Sequence, residues 1–302
     1  MKLSALLERV PDIVAIHGDA QVEIDNLCID SRKVKRGSLF FCTPGLRMDA
    51  HDFAPQAVQA GAAALIVERH LPIDCPQVEV RSVRKATSVI AANFYGNPAD
   101  HLKLVGLTGT KGKTTGSYLM KAVIEAAGHK TGYIGTVGSM IGDEMIPTKL
   151  TTPDPLEVQA LLRHMLDKGA EYVVMEVSAH AMAMDRLYGM RFAVGAFTNF
   201  SQDHLDYFGT MDAYLAAKMA FFSPEMTDKI VYNADDETAK EAFAALGRPA
   251  LSVGIREPSE VYANDIEIGE RGCSFMLTYH RHFRVAIALK LAGIFNVYNA
   301  LL

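Results

Sequence analysis

The residues best suited to chemistry lie in one short segment that follows the apolar run 104–107. In a turn of this kind, glycines let backbone N–H groups close on phosphate oxygens, and the next helix directs its positive end at the same oxygens. Lys113 would neutralise phosphate charge, and the Thr114 hydroxyl would reach Mg²⁺. We therefore predict a nucleoside triphosphate site at Gly109, Thr110, Lys111, Gly112, Lys113, Thr114 and Thr115.

The match to the general phosphate-loop pattern is incomplete. Leu107 stands where the pattern begins with a glycine, and Gly109 supplies the turn instead. The alternative is a glycine-rich turn from strand to helix that binds nothing. A lysine and two hydroxyls at these offsets are hard to explain by packing alone, which favours phosphate binding.

Two further strand-like runs end in polar side chains. Glu176 lies near the end of the strand-like run 172–177, and Asp203, His204 and Asp206 follow the run 194–198. Because ligands of parallel sheets bind at the carboxyl ends of the strands, these groups and the phosphate loop predict one metal and phosphate site. The alternative for Asp203 and Asp206 is that they only cap the following turn.

Lys218 lies in the helical pattern 211–222 among Ala, Met and Phe residues. Such a lysine is most often a surface residue whose stem covers apolar neighbours. A desolvated lysine would instead have a lowered pKa and could act as a nucleophile. The pattern alone leaves both interpretations open.

Composition limits the class of protein. The chain has 302 residues, of which 49% are apolar and 22% charged, as in a globular protein of two domains. A net charge of −5 argues against nucleic acid or an anionic membrane as the main partner. Four scattered cysteines favour reduced thiols, and no apolar run is long enough to cross a membrane. These features predict a cytoplasmic protein with a small-molecule substrate. We also expect a monomer.

Periodicity predicts an α/β fold. Residues 1–97 contain short strand-like runs and form a small α/β domain, and the turn residues of 94–98 mark its end. Residues 98–302 alternate apolar strand-like runs, such as 172–177, with helical patterns, such as 113–127, which predicts a mostly parallel sheet covered by helices. The runs 273–279 and 283–289 indicate a β hairpin. The last residues have the pattern of a helix that stops at Leu302 without a capping signal, which suggests a fragment of a longer protein.

An ordered series of motifs resembles the Mur ligases of peptidoglycan synthesis, above all those that add the third residue of the peptide. The likeness covers roughly residues 25–302. Its motifs are Asp30-Ser-Arg32, Gly37-Ser-Leu-Phe40, Gly109-Thr-Lys-Gly-Lys-Thr-Thr115, Thr151-Thr-Pro-Asp154, Glu176-Val-Ser-Ala-His180, Asp203-His-Leu-Asp206, Ala217-Lys218 and Phe295-Asn-Val-Tyr-Asn299.

The resemblance implies an ATP-dependent amide ligase. It would add meso-diaminopimelate or L-lysine to UDP-MurNAc-L-Ala-D-Glu through an acyl phosphate, with Mg²⁺ as cofactor. The N-terminal domain would bind the UDP precursor, and residues 98–302 would form the P-loop domain that binds ATP. The family's C-terminal domain, which binds the incoming amino acid, would lie beyond Leu302.

The resemblance also implies residue roles. Lys113, Lys218 and His204 would be catalytic, with Lys218 carbamylated to N6-carboxylysine. Mg²⁺ would be held by Thr114, Glu176, His204 and the carbamate of Lys218. Asn296 and Asn299 would lie beside the adenine. The precursor would contact Ile29, Ser31, Leu46, Arg47, Met48, Thr151, Thr152, Ser178, Met184 and Arg186.

Some positions depart from the family pattern. Lys111 stands where many relatives have Asn, and Ala179 where a second Ser is common. The alternatives are a dipeptide-adding Mur ligase, a folylpolyglutamate synthetase, or a nucleotide-binding module without catalysis. Asp30-Ser-Arg32 argues against the folate enzyme. Lys113, Glu176, His204 and Lys218 argue against a module without catalysis.

Overall fold

The structure is a computed structural model that describes residues 1–45, 48–256, 259–280 and 282–302. It divides into two compact units. The first comprises Met1–Pro98, Asp154–Arg163 and Met184–Gly189, so two segments from the middle of the chain pack with the N-terminal part. The second comprises Ala99–Pro153, His164–Ala183 and Met190–Leu302. The predicted contacts at Leu46 and Arg47 fall outside the described residues.

The first unit is built on a sheet in the order β1-β5-β4-β3-β2, counted over the described residues. Strands β2 to β5 are parallel, and β1 is antiparallel to β5. Its elements are α1 (Leu3–Leu6), β1 (Ile13–His17), β2 (Asn26–Cys28), β3 (Ser38–Phe41), α2 (Ala54–Gln59), β4 (Ala62–Val67), β5 (Gln77–Val80) and α3 (Val83–Phe94).

Both faces of this small sheet are buried. Phe41 packs with Leu3 and Ile90 on one face, and the preceding Phe40 packs with Leu65 and other residues on the opposite face. Since successive side chains of a strand point to opposite faces, the apolar run 39–41 of β3 is what a parallel sheet covered on both faces requires.

The second unit contains a larger sheet, and α5 spans parts of both units. The elements are β6 (Lys103–Thr108), α4 (Lys113–Ala126), β7 (Thr131–Gly135), β8 (Gly138–Ile141), β9 (Glu144–Ile146), α5 (Pro155–Asp167), β10 (Tyr172–Glu176), α6 (Ala179–Ala183), β11 (Phe192–Phe197), α7 (Leu205–Phe208), α8 (Met211–Met219), β12 (Thr227–Asn233), α9 (Glu237–Leu246), β13 (Leu251–Gly254), β14 (Val261–Gly269), β15 (Gly272–Tyr279), β16 (Phe283–Leu289) and α10 (Ile294–Leu301). Short 3₁₀ turns lie at Ser31–Lys33, Ala50–Phe53, Pro98–His101 and Ala220–Phe222.

The order of this sheet is β16-β15-β14-β13-β12-β11-β6-β10-β7-β8-β9 within the described ranges. The strands from β14 to β7 in that order are parallel, and antiparallel strands flank them on each side. The predicted α/β class with a mostly parallel sheet is confirmed. In the part of the chain that the structure describes, no helix has the length and apolar composition needed to cross a membrane.

Strand β6 lies between β10 and β11, and this order positions the site. Leu107 pairs with Glu176 of β10, and Thr108 pairs with Phe197 of β11. All three strands run in the same direction, so the loops that leave their carboxyl ends meet at one edge of the sheet.

Candidate active site

The loop between β6 and α4 has a shape that only glycine allows at two positions. Gly109 has a φ of 138° and Gly112 a φ of 85°. A Cβ on Gly112 would collide with Oδ1 of Asn299, and a Cβ on Gly109 would collide with Oγ1 of Thr198. Lys113 begins α4 directly after this loop. The N–H groups of the first turn of α4, which have no acceptor within the helix, therefore lie where the loop ends.

Residues that follow β11 hold the loop in this shape. The Thr198 hydroxyl donates to the backbone oxygen of Lys111 at 2.6 Å. The Asn199 side chain donates to the same oxygen at 2.8 Å and accepts from the Lys111 N–H at 3.0 Å. The Thr110 N–H donates to the backbone oxygen of Asn199 at 2.8 Å. The loop is therefore preorganised, while the Lys111 side chain stays exposed.

Two lysines converge on the backbone carbonyl of Gly109. Lys113 Nζ donates to this oxygen at 3.0 Å and to that of Thr110 at 2.9 Å. Lys218 Nζ, from α8, donates to the Gly109 oxygen at 2.6 Å and lies 4.5 Å from the ring centroid of Tyr214. Lys218 is 1% exposed, so it does not take the surface position that its sequence pattern favours.

Burial and like charge change the acidity of these lysines. Burial, followed by the charge of Lys113, lowers the pKa of Lys218 to about 7, although Asp203 acts in the opposite direction. Burial also lowers the pKa of Lys113, against the attraction of Glu176 and Asp203. A neutral amine is therefore accessible at Lys218 near neutral pH.

The carboxylate of Glu176 is fully buried and accepts four hydrogen bonds. Its Oε1 accepts from the Tyr133 hydroxyl at 2.5 Å and from the Thr136 N–H at 3.0 Å. Its Oε2 accepts from the Thr114 hydroxyl at 3.0 Å and from the Thr136 hydroxyl at 3.1 Å. These four hydrogen bonds fix the orientation of the carboxylate.

The chemistry of Thr114 and Glu176 suits Mg²⁺. This ion binds hard oxygen ligands and keeps several waters and phosphate oxygens, so a carboxylate and a hydroxyl from the protein suffice. Among the described residues, no group of three or more His, Cys, Asp and Glu side chains is arranged to hold a metal alone. The donor set therefore fits a metal that is bound together with nucleotide phosphates.

His204 lies in an aromatic cluster beside the phosphate loop. Its φ of 52° is left-handed, and it precedes α7. Its ring is 4.7 Å from that of His180 and 5.8 Å from that of Tyr214, both edge to face. The Asp203 carboxylate accepts from the His204 N–H at 2.9 Å, and Asp206 lies in the first turn of α7. A metal role for His204 stays a prediction.

A cavity of about 510 Å³ opens beside the phosphate loop. Asn299 of α10 lines it, whereas Asn296 supports Asn299 by accepting its amide at 3.1 Å. Several lining residues were not predicted from the sequence. They include Thr198, Asn199, Asn233, Asp235, Asp236, Phe295 and Tyr298.

The signal for part of this wall was present in the sequence. Asp235 follows the carboxyl end of β12, a position at which parallel sheets place ligand contacts. Its Oδ2 accepts from the Tyr298 hydroxyl at 2.9 Å, and burial, followed by this hydrogen bond, raises the pKa of Tyr298 to about 12. The same reasoning would have selected Asn233 and Asp236.

The predicted substrate contacts of the second unit are tied to Glu176. The Thr152 hydroxyl donates to the backbone oxygen of Glu176 at 2.7 Å and accepts from the Ser178 N–H at 3.0 Å. The half-buried Thr151 hydroxyl lies 3.1 Å from the Thr136 hydroxyl. Thr115, the last residue of the predicted loop, is half-buried on α4.

The first unit carries the other predicted substrate contacts. Ile29 and Met48 are 40% and 69% exposed, and Ser31 starts a 3₁₀ turn. Hydrogen bonds from Arg32 lower the pKa of Asp30, the residue before this turn, to about 2. Further along the chain, Arg186 donates to the sulfur of Met184 at 3.2 Å.

Residues 107–302 match the family described as the Mur ligase middle domain, and residues 23–95 match the Mur ligase catalytic domain family. The chain belongs to the Mur ligase family. The resemblance in the motifs is thereby confirmed, and the P-loop site described above lies within the middle domain of this family.

Two relatives of this Mur ligase are named as diaminopimelate-adding ligases. The UDP-N-acetylmuramoyl-L-alanyl-D-glutamate–2,6-diaminopimelate ligase 1 of Clostridium acetobutylicum is 43% identical over 95% of this chain. The ligase of the same name, without the number, in Geobacillus thermodenitrificans is 44% identical over 100% of it. This chain spans 59% and 63% of the lengths of these relatives.

A solved structure of a UDP-N-acetylmuramoyl-L-alanyl-D-glutamate–2,6-diaminopimelate ligase has the same fold. The two superpose with a TM-score of 0.86 at 27% identity, over 100% of this chain and 62% of that one. The likeness thus extends through both units of the Mur ligase.

Proposed function

We propose that this chain carries the ATP-dependent ligase chemistry that adds the third amino acid, 2,6-diaminopimelate or L-lysine, to UDP-MurNAc-L-Ala-D-Glu. One observation carries the proposal: relatives 43% and 44% identical over 95% to 100% of the chain are named as diaminopimelate-adding ligases. The phosphate loop, the carboxylate of Glu176, the half-buried Lys113 and the buried Lys218 supply the groups that this chemistry needs.

Each group has a role in forming the acyl phosphate from the D-glutamate carboxylate. Lys113 neutralises charge on the phosphoryl group as it is transferred. Thr114 and Glu176 would hold Mg²⁺, which would supply further positive charge to the phosphates. As a carbamate, Lys218 would be an anion next to Lys113 and would help to hold a second metal ion. His204 would be a further ligand for Mg²⁺ at this edge of the sheet.

We assign the precursor and the nucleotide to different parts of the chain. Residues 1–97 bind the UDP portion through Ser31 and its neighbours, and residues 98–302 bind ATP. Asn299 contacts the adenine from the wall of the 510 Å³ cavity. A reaction that consumes a UDP-linked precursor and ATP is consistent with a cytoplasmic location.

Binding of precursors of different length tests the assignment. The chain is titrated with UDP-MurNAc-L-Ala, UDP-MurNAc-L-Ala-D-Glu and the corresponding tripeptide precursor, each with and without MgADP. A third-residue ligase binds the dipeptide precursor tightest. Preference for the tripeptide precursor would indicate a dipeptide-adding Mur ligase and would refute the proposal.

Release of phosphate from ATP then identifies the amino acid. The full-length protein, including the expected domain for the amino acid, is assayed with UDP-MurNAc-L-Ala-D-Glu and, in turn, meso-diaminopimelate, L-lysine and L-ornithine. Release that depends on both the precursor and one of these amino acids is expected. Binding of ATP with no selectivity among the precursors would support the nucleotide-binding module instead.

A further inference from the structure

Thr136 links two parts of the site that have separate ligands. It lies in the exposed turn after β7. Its N–H and its hydroxyl donate to the two different oxygens of Glu176, at 3.0 Å and 3.1 Å. Its hydroxyl oxygen is also 3.1 Å from that of Thr151. Thr136 therefore contacts both the carboxylate proposed to hold Mg²⁺ and a hydroxyl proposed to bind the precursor.

Thr151, Thr136 and Glu176 form a series of hydrogen bonds, and the carboxylate of Glu176 determines the direction of each bond. An ionised carboxylate only accepts, so the single proton of the Thr136 hydroxyl is directed at Glu176. The proton between the two threonines must then come from Thr151. In this state, Thr151 donates to Thr136, Thr136 donates to Glu176, and Thr151 has no proton left for a ligand.

We infer that Thr136 is a positioning residue that couples occupation of Glu176 Oε2 by a metal ion to the binding of an anion at Thr151. The inference rests on the proposed function. A metal on Oε2 displaces the Thr136 hydroxyl, whose proton turns to the oxygen of Thr151. Thr151 then directs its own proton outward, where it donates to a phosphate oxygen of the UDP precursor. No proton is transferred in this change, because the hydroxyl groups of Thr136 and Thr151 only rotate.

The coupling is positive and reciprocal. MgADP tightens binding of the precursor, and the precursor tightens binding of MgADP by the same factor. With a metal ion on Glu176 Oε2, the Thr151 hydroxyl donates a hydrogen bond to the precursor phosphate. Without the metal ion, this hydrogen bond is missing. A change of this kind alters an equilibrium constant by about three- to tenfold.

We call the coupling from Glu176 through Thr136 to Thr151 the relay. Titrations of wild type and of Thr136→Val test it. The dissociation constant of UDP-MurNAc-L-Ala-D-Glu is measured by calorimetry without nucleotide, with saturating MgADP, and with ADP plus EDTA. Valine has nearly the shape of threonine and keeps the N–H that holds Oε1, but it has no hydroxyl. We expect a coupling factor of about three to ten in wild type with MgADP, and about one in Thr136→Val.

Two controls separate the relay from a loss of structure. Thr136→Ser keeps the hydroxyl and should restore the coupling. Thr148→Val removes a buried hydroxyl that has no hydrogen-bond partner among the described residues, so its coupling should equal that of wild type. In wild type, ADP with EDTA should give a factor near one, because Glu176 then keeps the Thr136 proton.

The outcomes distinguish the relay from the proposed function. If wild type binds neither the precursor nor MgADP, the proposed function is refuted and the relay with it. If both ligands bind, three results overturn the relay alone. These are independent binding in wild type, undiminished coupling in Thr136→Val, and coupling that persists with ADP and EDTA.

Discussion

We predict that Lys218 is carbamylated, because the fold lowers the pKa of its amine. A pKa of about 7 leaves about half of the side chains neutral at pH 7. A lysine with the ordinary pKa of 10.5 is neutral in about one molecule in three thousand at that pH. Only the neutral amine adds CO₂, forming a carbamate and releasing a proton. The fold therefore raises the reactive fraction about a thousandfold.

The neighbouring charge favours the product as well. Lys113 and Lys218 both donate to the carbonyl oxygen of Gly109, so two cations face each other in a buried place. Carbamylation replaces one of these cations with an anion, which removes the repulsion and gives Lys113 a partner of opposite charge. The carbamate should therefore raise the pKa of Lys113.

NMR with ¹³C-bicarbonate measures the adduct directly. A carbamate signal is expected in wild type, growing from pH 6 to pH 8 at constant dissolved CO₂ because the neutral fraction rises through the pKa of about 7. Lys218→Met should abolish the signal. Lys121→Met is the matched control, since Lys121 is also buried but its Nζ pairs with Glu125 at 2.7 Å. Absence of the signal at pH 8, or its survival in Lys218→Met, would refute the reasoning.

Three other substitutions have defined outcomes. Lys113→Ala should lower precursor-dependent phosphate release ~10²-fold or more while the circular dichroism spectrum stays unchanged. Gly112→Ala should weaken MgADP binding at least ~10-fold, because its Cβ meets Asn299 and its φ is 85°; Gly128→Ala, with open space and a similar φ of 92°, is the control. Lys218→Met in CO₂-free buffer should raise the free energy of unfolding by about 1–3 kcal/mol at pH 7. The pKa of Lys218 is lower in the folded protein than in the unfolded chain, so wild-type stability should recover as pH rises from about 7 towards 10.5.

Strands and helices with strong patterns could be predicted from the sequence. The predicted helix 113–127 corresponds to Lys113–Ala126, and the predicted strand 172–177 corresponds to Tyr172–Glu176. The predicted hairpin runs 273–279 and 283–289 correspond to Gly272–Tyr279 and Phe283–Leu289. In these segments, local periodicity and the final fold agree, so residue types alone are sufficient.

The strands β7 to β9 were not predicted, because their stability comes from partners elsewhere in the chain. Strand β7 contains Gly132 and Gly135, which weaken an isolated strand. In the structure it is completely buried beside β10, where Tyr133 pairs with Val174. That register depends on a strand much later in the sequence. No local pattern could reveal it, and Tyr133 and Thr136 were missed as partners of Glu176 for the same reason.

The sequence pattern around Lys218 does not show whether this lysine is exposed or buried. A lysine flanked by apolar residues is compatible with a stem lying on the surface and with an amine buried in the core, and hydropathy does not separate the two. The fold does so through Tyr214, one helical turn earlier, whose ring covers the amine, and through Gly109, whose carbonyl oxygen accepts a hydrogen bond from the amine. Because that carbonyl lies in the phosphate loop, burial of Lys218 is inseparable from formation of the nucleotide site. The unusual acidity of its amine is thus a property of the assembled loop, and a variant that unfolds the loop should return Lys218 to the ordinary pKa of a lysine.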